Sequence, residues 1–154
     1  MNALWLMKSE PSTFSLTDLK QKTNATDMWD GVRNYQARNF IRSMKPGDLA
    51  FFYHSNCEIP GIVGLIKITS TAYPDPTAFD PSSKYYDPKS TPENPRWFVV
   101  DVAFTQAFKN ILSLKDIKSN PKIKELPLIQ KGSRLSVMPV TPTEWQQILN
   151  MAEI

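Results

Sequence analysis

The sequence contains little of what several common kinds of site require. Among its 154 residues there is one cysteine, Cys57, and one histidine, His54. A single cysteine excludes an internal disulfide framework and any multi-cysteine metal site, and it fits a reducing compartment. A single histidine excludes most zinc chemistry. No apolar run reaches the roughly 18 residues of a membrane span, and the first residues do not follow a signal-peptide pattern. We therefore expect no metal, no other cofactor and no membrane partner.

Glycine is scarce as well, with 5 residues against 13 prolines. Glycines that are this rare should stand where the backbone needs them. Six of the prolines fall within residues 74–95, together with Tyr85 and Tyr86. This stretch is predicted to be a long loop without a regular element.

The charge is mildly basic, with a net charge of +3 and a pI near 9.0. Its distribution is uneven, because residues 31–47 contain four cations and no acid, and residues 109–134 contain seven cations against two acids. Two basic patches on a solvated surface suit an anionic partner. There is no internal repeat or low-complexity tract, so one domain over residues 1–154 is expected.

Apolar periodicity predicts short strands, and capping residues predict helices between them. The predicted strands cover residues 3–7, 49–54, 62–73, 96–108 and 134–140. The predicted helices cover residues 16–21 behind Ser15, the stretch from Asn34 to residue 44, and residues 142–151 behind Thr141, with two short helical pieces starting at Ser113 and Pro121. This order indicates an α+β fold with a small curved sheet or barrel and flanking helices.

Residues 29–34 (WDGVRN) are the most informative segment. Trp29 supplies a flat aromatic face, Gly31 supplies a turn, and Arg33 stands at the start of a helix with free backbone N–H groups. This combination suits a base attached to phosphate, because an aromatic face stacks a base while arginine and helix amides hold its phosphate. The alternative is a core tryptophan beside a surface arginine.

Three further groups of polar residues are candidates for chemistry. Residues 53–57 end a strand with hydroxyl, imidazole and thiol groups, residues 8–10 (KSE) follow the first strand, and residues 132–134 (GSR) open the last one. Each has a plainer interpretation as a strand end or loop. The chain contains no phosphate-binding glycine loop, HExxH, GxSxG or dinucleotide fingerprint.

Long strings of this sequence resemble the EVE domain family. They are residues 4–11 (LWLMKSEP), 29–39 (WDGVRNYQARN), 85–90 (YYDPKS), 94–97 (NPRW) and 134–140 (RLSVMPV). The resemblance covers nearly the whole chain. It implies a PUA-like fold, a small β pseudo-barrel flanked by helices, and binding of a modified nucleobase such as 5-methylcytosine or 5-hydroxymethylcytosine in DNA, or a modified base in RNA. A chain of this domain alone is expected in the cytoplasm of a bacterium, or in the nucleus if it is eukaryotic, and as a monomer.

We predict a non-catalytic reader that takes an unpaired modified base into an aromatic pocket with a basic rim. The predicted base pocket consists of Trp29, Tyr53, His54, Ser55, Ser9, Glu10 and Leu135. The predicted phosphate contacts are Arg33, Asn34, Arg38, Arg42, Ser133 and Arg134. One alternative is a small hydrolase of modified nucleobases or nucleosides that uses Lys8 and Glu10, and another is a protein-docking module that uses residues 74–95.

Overall fold

The computed structural model describes residues 2–152 of the chain. These residues contain eight strands and four α-helices, joined by turns and loops. The strands are β1 (Leu4–Ser9), β2 (Thr26–Met28), β3 (Leu49–His54), β4 (Gly61–Ile68), β5 (Tyr73–Pro74), β6 (Phe98–Val99), β7 (Asp101–Ser113) and β8 (Val137–Pro139). The helices are α1 (Leu16–Lys20), α2 (Tyr35–Ser43), α3 (Leu114–Ser119) and α4 (Pro142–Met151). Short 3-10 turns occupy Thr23–Ala25, Pro76–Phe79 and Pro127–Ile129.

Six strands form one mixed sheet in the order β2-β7-β4-β3-β1-β8, and β5 pairs with β6 separately. β1 runs parallel to β3, and the other pairs are antiparallel. The pairing of β4 with β7 shifts register twice, and such bulges bend a strand and strengthen its twist. The sheet therefore curls into a half-barrel, and fully buried side chains such as Phe51 and Ile66 pack on its two opposite faces. This confirms the predicted α+β fold, a small barrel-like sheet with flanking helices.

The predicted helix caps are confirmed. Ser15 and Asp18 form a reciprocal capping box at α1. The Asn34 side chain accepts a hydrogen bond from the backbone N–H of Ala37 at the start of α2, and Thr141 accepts one from the N–H of Glu144 at the start of α4. Each cap satisfies a backbone donor that has no partner within its helix.

Several predicted strand boundaries are wrong. The strand predicted over residues 62–73 ends at Ile68, because Ser70 Oγ accepts the N–H of Asp101 at 2.8 Å in place of a backbone partner. The strand predicted over 96–108 is interrupted at Val100 and continues to Ser113. The one predicted over 134–140 shortens to Val137–Pro139.

The helical piece predicted at Pro121 is also wrong. Asn120 accepts the N–H of Lys122 through its side chain and that of Ile123 through its carbonyl, so the chain closes a single turn. Strand β2 was not predicted, since its three residues are too few to show an alternating pattern.

The parallel register of β1 and β3 gives the sheet two distinct ends. We call the end at Leu4 and Leu49 the closed end, and the end at Ser9 and His54 the open end. The segment after β2 begins beside the start of β7, where the N–H of Trp29 donates to the carbonyl of Val100 at 2.8 Å, and its residues 29–32 lie close to the end of β1. This segment is the one that the sequence marks as a candidate site.

Candidate functional site

A cavity of about 390 Å³ opens at the open end of the sheet. Its walls come from residues 8–10 at the end of β1, from Thr13 and Phe14, and from residues 28–32 after β2. Ser55, Tyr85, Arg134 and Ser136 complete the lining. We call it the base cavity. It brings together Ser9, Glu10, Trp29, Ser55 and Arg134 of the predicted site residues.

Trp29 forms an aromatic wall of this cavity. Its ring meets that of Phe52 edge-on at 5.1 Å and that of Phe14 edge-on at 6.3 Å, measured between ring centroids. Edge-to-face packing of this kind fixes the plane of the indole. Trp29 is only 5% exposed, so it belongs to the core as well as to the lining of this cavity.

Tyr85 forms a second aromatic part of the lining, and Gly31 makes its approach possible. A Cβ atom on Gly31 would lie 2.5 Å from Cζ of the Tyr85 ring. Gly31 also has a φ of +81°, which side-chain-bearing residues rarely adopt. The loop of residues 74–95 is therefore folded back against the base cavity.

Arg33 and Asp75 fasten this loop to the start of α2. The Arg33 guanidinium donates to the Asp75 carboxylate at 3.0 Å and to the carbonyl of Tyr85 at 2.7 Å. The fully buried Asp75 also accepts from the N–H of Gly31 and from the N–H and hydroxyl of Thr77. The charge of Arg33 is thus paired inside the protein, and its guanidinium shapes the cavity wall.

Two charged groups in the cavity have shifted pKa values. Burial and, to a smaller extent, the neighbouring Asp75 carboxylate raise the pKa of Asp30. Burial lowers the pKa of Lys8. Both shifts favour the neutral form because the cavity removes water from the charged one, and perturbed groups in a cleft are typical of functional sites.

The remaining polar edge of the cavity is held by hydrogen bonds between β1 and the end of β3. The N–H of Ser55 donates to the carbonyl of Ser9 at 3.0 Å, and the Ser9 hydroxyl donates to the carbonyl of Phe14 at 2.6 Å. The Asn56 amide donates to the Glu10 carboxylate at 2.8 Å. Glu10 is exposed at the cavity mouth.

Three of the residues predicted in the base pocket do not line this cavity, namely Tyr53, His54 and Leu135. Tyr53 faces a neighbouring cavity, where burial raises the pKa of its hydroxyl to about 12. His54 points to the face covered by α1, where its Nε2 accepts the N–H of Leu16 at 3.2 Å. Side chains alternate along a strand, so successive residues of β3 cannot all face one pocket.

The predicted phosphate contacts are also spread out. Asn34 is used as the cap of α2, and Arg38 lies 5.0 Å from the Tyr35 ring centroid while donating to the carbonyl of Arg96. Arg42 lies over the ring of Phe98. Ser133 lines the cavity beside Tyr53, and Arg134 is exposed on the rim of the base cavity.

Four residues that line or support the base cavity were not predicted. Three line it, namely Phe14, Asp30 and Tyr85, and Asp75 supports it from behind through Gly31 and Arg33. Asp30 stands within the segment that the sequence marks, so its carboxylate was a signal that could have been used. Tyr85 and Asp75 could not be placed at the cavity from the sequence, because the Arg33–Tyr85 and Gly31–Asp75 contacts span 52 and 44 residues.

Across residues 2–152, no group of three or more histidine, cysteine, aspartate or glutamate side chains is placed to hold a metal ion. Over the same residues, every helix is too short or too polar to cross a membrane.

Comparison with known proteins gives consistent matches over nearly the whole chain. Residues 3–151 match the family described as EVE domain. Human thymocyte nuclear protein 1 is 44% identical over 170 residues, which cover 99% of this chain and 75% of that protein.

Solved structures agree with this match. A protein of Pseudomonas syringae is 56% identical with a TM-score of 0.94, covering 97% of this chain and 99% of that one. The human THYN1 protein in complex with 5-methylcytosine containing DNA is 44% identical with a TM-score of 0.92, covering 97% and 96%. An ASCH protein of Zymomonas mobilis, 7% identical with a TM-score of 0.56, shares the fold alone.

Proposed function

Because the chain belongs to the EVE domain family, we propose that it binds nucleic acid and takes an unpaired modified base, with 5-methylcytosine as the leading candidate, into the base cavity. A relative 44% identical to this chain has been solved with 5-methylcytosine containing DNA. The observation that carries the proposal is the composition of the cavity, which combines the Trp29 wall, the half-buried Asp30 and the exposed Arg134 in one enclosure of about 390 Å³.

The aromatic wall supports uptake of a flat ring. Stacking of a base on an aromatic side chain contributes about 1–3 kcal/mol. Extruding a base from a duplex costs a few kcal/mol, and less if the base is already unpaired. Trp29, Phe14 and Val32 also offer an apolar surface to a 5-methyl group. We therefore infer that single-stranded or mismatched sites bind more tightly than paired ones.

Asp30 supports a preference for cytosine. The exocyclic N4 amino group of cytosine is a donor, and a carboxylate is the side chain that accepts from it. Because the pKa of Asp30 is raised, the group also gains access to the protonated form, which donates to the ring nitrogen next to that amino group. The hydroxyls of Ser9 and Ser55 are further polar groups at the cavity edge.

The outer cations support backbone contacts. Arg134 lies on the cavity rim, and Arg38 and Arg42 are fixed over the rings of Tyr35 and Phe98. Arginines in such positions would hold phosphates without reading the base. Arg33 acts differently, because its pairing with Asp75 makes it a positioning residue for the cavity wall.

The test is competitive binding of short single strands of DNA and RNA that carry cytosine, 5-methylcytosine, 5-hydroxymethylcytosine or N6-methyladenine. The wild type is expected to prefer one modified base. Trp29→Phe should reduce that preference, whereas Arg38→Ala should weaken all oligonucleotides equally. Equal losses of selectivity in the two variants, or no preference in the wild type, would contradict the proposal.

The hydrolase alternative uses the same cavity, since Lys8 and Glu10 both line it. It requires turnover of a modified nucleoside that Glu10→Gln stops. Incubating the wild type with the same modified oligonucleotides and their nucleosides, and analysing the products by mass, separates a reader from a hydrolase.

A further inference from the structure

A second cavity, of about 760 Å³, lies directly beside the base cavity and shares Lys8 and Ser55 with it. Three lysines line it, namely Lys8, Lys118 and Lys131. No aspartate or glutamate is found among the described residues that line it. We call this second cavity the lysine groove.

The two outer lysines stand on anchored segments. Lys118 lies in the last turn of α3, which is fixed by the buried Ile117 and by a hydrogen bond from the N–H of Leu114 to the carbonyl of Pro60 at 2.9 Å. Lys131 follows the Pro127–Ile129 turn, which Gln130 ties back to the carbonyl of Lys124 at 2.8 Å. Both lysines are exposed, so their ammonium groups are accessible.

Neither outer lysine has its charge compensated within residues 2–152, where no carboxylate lies within 4.0 Å of either ammonium group. Between them the groove offers apolar surface from Leu114, Leu128 and Ile129. Uncompensated ammonium groups beside an apolar floor suit a chain that alternates phosphates with sugars and bases.

Lys8 marks the passage from one cavity to the other. Its ammonium group lies 5.8 Å from the centroid of the buried Tyr53 ring, on the groove side, while its side chain also lines the base cavity. A strand whose base occupies the base cavity would therefore lead into the lysine groove with its next phosphates.

We propose that the lysine groove holds the phosphodiester backbone of the nucleotides on one side of the inserted base, with Lys118 and Lys131 as the phosphate contacts. This inference rests on the proposed function, because the base cavity fixes where the strand enters. The ligand is then a strand of several nucleotides, and its 5′-to-3′ direction across the two cavities is fixed.

The experiment uses three single-stranded DNA probes in a salt titration. One is a trinucleotide with a central 5-methylcytosine, and the others extend it by five nucleotides at the 5′ or at the 3′ end. The wild type should gain affinity and salt dependence mainly from one of the two extensions. The double variant Lys118→Ala/Lys131→Ala should bind the trinucleotide normally, which also shows that it is folded.

For the favoured extension, the double variant should lose the added affinity. Each phosphate contact on a single strand contributes about 0.7 to the slope of log affinity against log salt. The loss of two contacts should therefore reduce the slope by about 1.4. If the wild type and the double variant bind equally at 1 M salt, the affinity of the variant at 0.1 M salt should be lower by on the order of 20-fold. The matched control is Lys20→Ala/Lys67→Ala, since these two exposed lysines line neither the base cavity nor the lysine groove.

Two different results would contradict the lysine-groove proposal and the base-reading proposal separately. If the double variant binds both extended probes with the wild-type slope, the lysine groove does not hold the backbone, and the base reader is unaffected. If the wild type binds methylated and plain trinucleotides equally while the double variant still loses the slope, the base-reading proposal fails and the groove remains a backbone site without base selectivity.

Discussion

Two buried aspartates fasten the molecule, Asp48 at the closed end of the central sheet and Asp75 behind the base cavity, and their surroundings differ. At the closed end, Asp48 accepts from the indole N–H of Trp5 and from the N–H groups of Ala3 and Lys45, at 3.0–3.1 Å. Behind the base cavity, Asp75 accepts from Arg33, Gly31 and Thr77. Both carboxylates are satisfied by several donors, as buried carboxylates must be.

The difference lies in the neighbouring groups. The base cavity has Asp30 near Asp75, and burial is the main cause that raises the pKa of Asp30. Asp75 is saturated by its donors, and in the proposed function Asp30 is the carboxyl group that meets the ligand. In that proposal Asp75 and Arg33 are the rigid support that holds the poorly solvated Asp30 in place.

The largest effect is expected from removing these two aspartates. Asp75→Ala leaves the half-buried Arg33 and the N–H of Gly31 without their partner, and breaking a buried pair costs about 3–5 kcal/mol. Asp48→Ala should also cost a few kcal/mol, because a buried indole N–H and two backbone donors lose their acceptor. Urea unfolding measures both.

Binding separates the two variants. At a temperature where both are folded, Asp75→Ala should lose binding of 5-methylcytosine oligonucleotides, and Asp48→Ala should retain it. Equal retention in both would show that the Arg33–Asp75 pair does not support the site.

The second prediction compares glycines at the two ends. Gly31 and Gly47 have φ values of +81° and +96°, so alanine is strained at both positions, by about 1–2 kcal/mol. Only at Gly31 would the new Cβ also meet an aromatic ring, at 2.5 Å from Tyr85, whereas at Gly47 the nearest atom is Asn2 Nδ2 at 3.1 Å. Gly31→Ala should therefore destabilise the protein more than Gly47→Ala, by about 1 kcal/mol or more, and should alone weaken base binding.

The third prediction concerns His54, which is at the open end and outside the base cavity. Burial lowers its pKa below the ordinary 6.5, and its neutral Nε2 accepts the N–H of Leu16. The neutral form is favoured by folding, so this contribution is complete above about pH 6.5 and is lost as pH falls through the lower folded-state pKa.

His54→Ala should cost about 1 kcal/mol at pH 8, and the difference from the wild type should shrink in acid. Base binding should not change. Thermal unfolding across pH 4–8 measures the stability, and a constant difference over this range would contradict the assignment.

The smallest effect on stability is expected from Asp30→Asn. This substitution should raise the melting temperature at pH 7, whereas Asp48→Asn should lower it. A carboxyl group whose folded pKa is raised is disfavoured when ionised, so the wild type loses stability as pH rises through that pKa. Asp30→Asn should thus raise the melting temperature at pH 7 by roughly 1–3 °C, and the gain should vanish in acid.

Asp48→Asn is the control and should lower the melting temperature at pH 7, because an amide cannot accept all three hydrogen bonds as the carboxylate does. A destabilised Asp30→Asn would mean that Asp30 belongs to the scaffold, as Asp48 does.

The sequence predicts those parts of the fold that local interactions determine. The caps Ser15, Asn34 and Thr141 place the three helices correctly, because each cap contacts its own first turn. Strand ends are less predictable. β7 continues five residues beyond the predicted Phe108, to Ser113, because it pairs with β4 through bulges that shift the register and hide the alternation.

The same distinction applies to the candidate site. Trp29 and Gly31 can be recognised from the sequence, since an aromatic residue and a scarce glycine stand together. Tyr85 and Asp75 cannot, because their contacts with residues 31–33 form only when the long loop folds back. The sequence also places Tyr53 and His54 in the pocket together, although neighbouring residues of a strand face opposite sides.

The most direct test of the proposed base recognition is a crystal structure of this protein with a short single strand that carries one 5-methylcytosine. We predict that the methylated base occupies the base cavity, packed against Trp29, with its N4 amino group within hydrogen-bond distance of the Asp30 carboxyl. A bound strand whose methylcytosine lies on the outer surface, for example against the exposed ring of Tyr35, would contradict it.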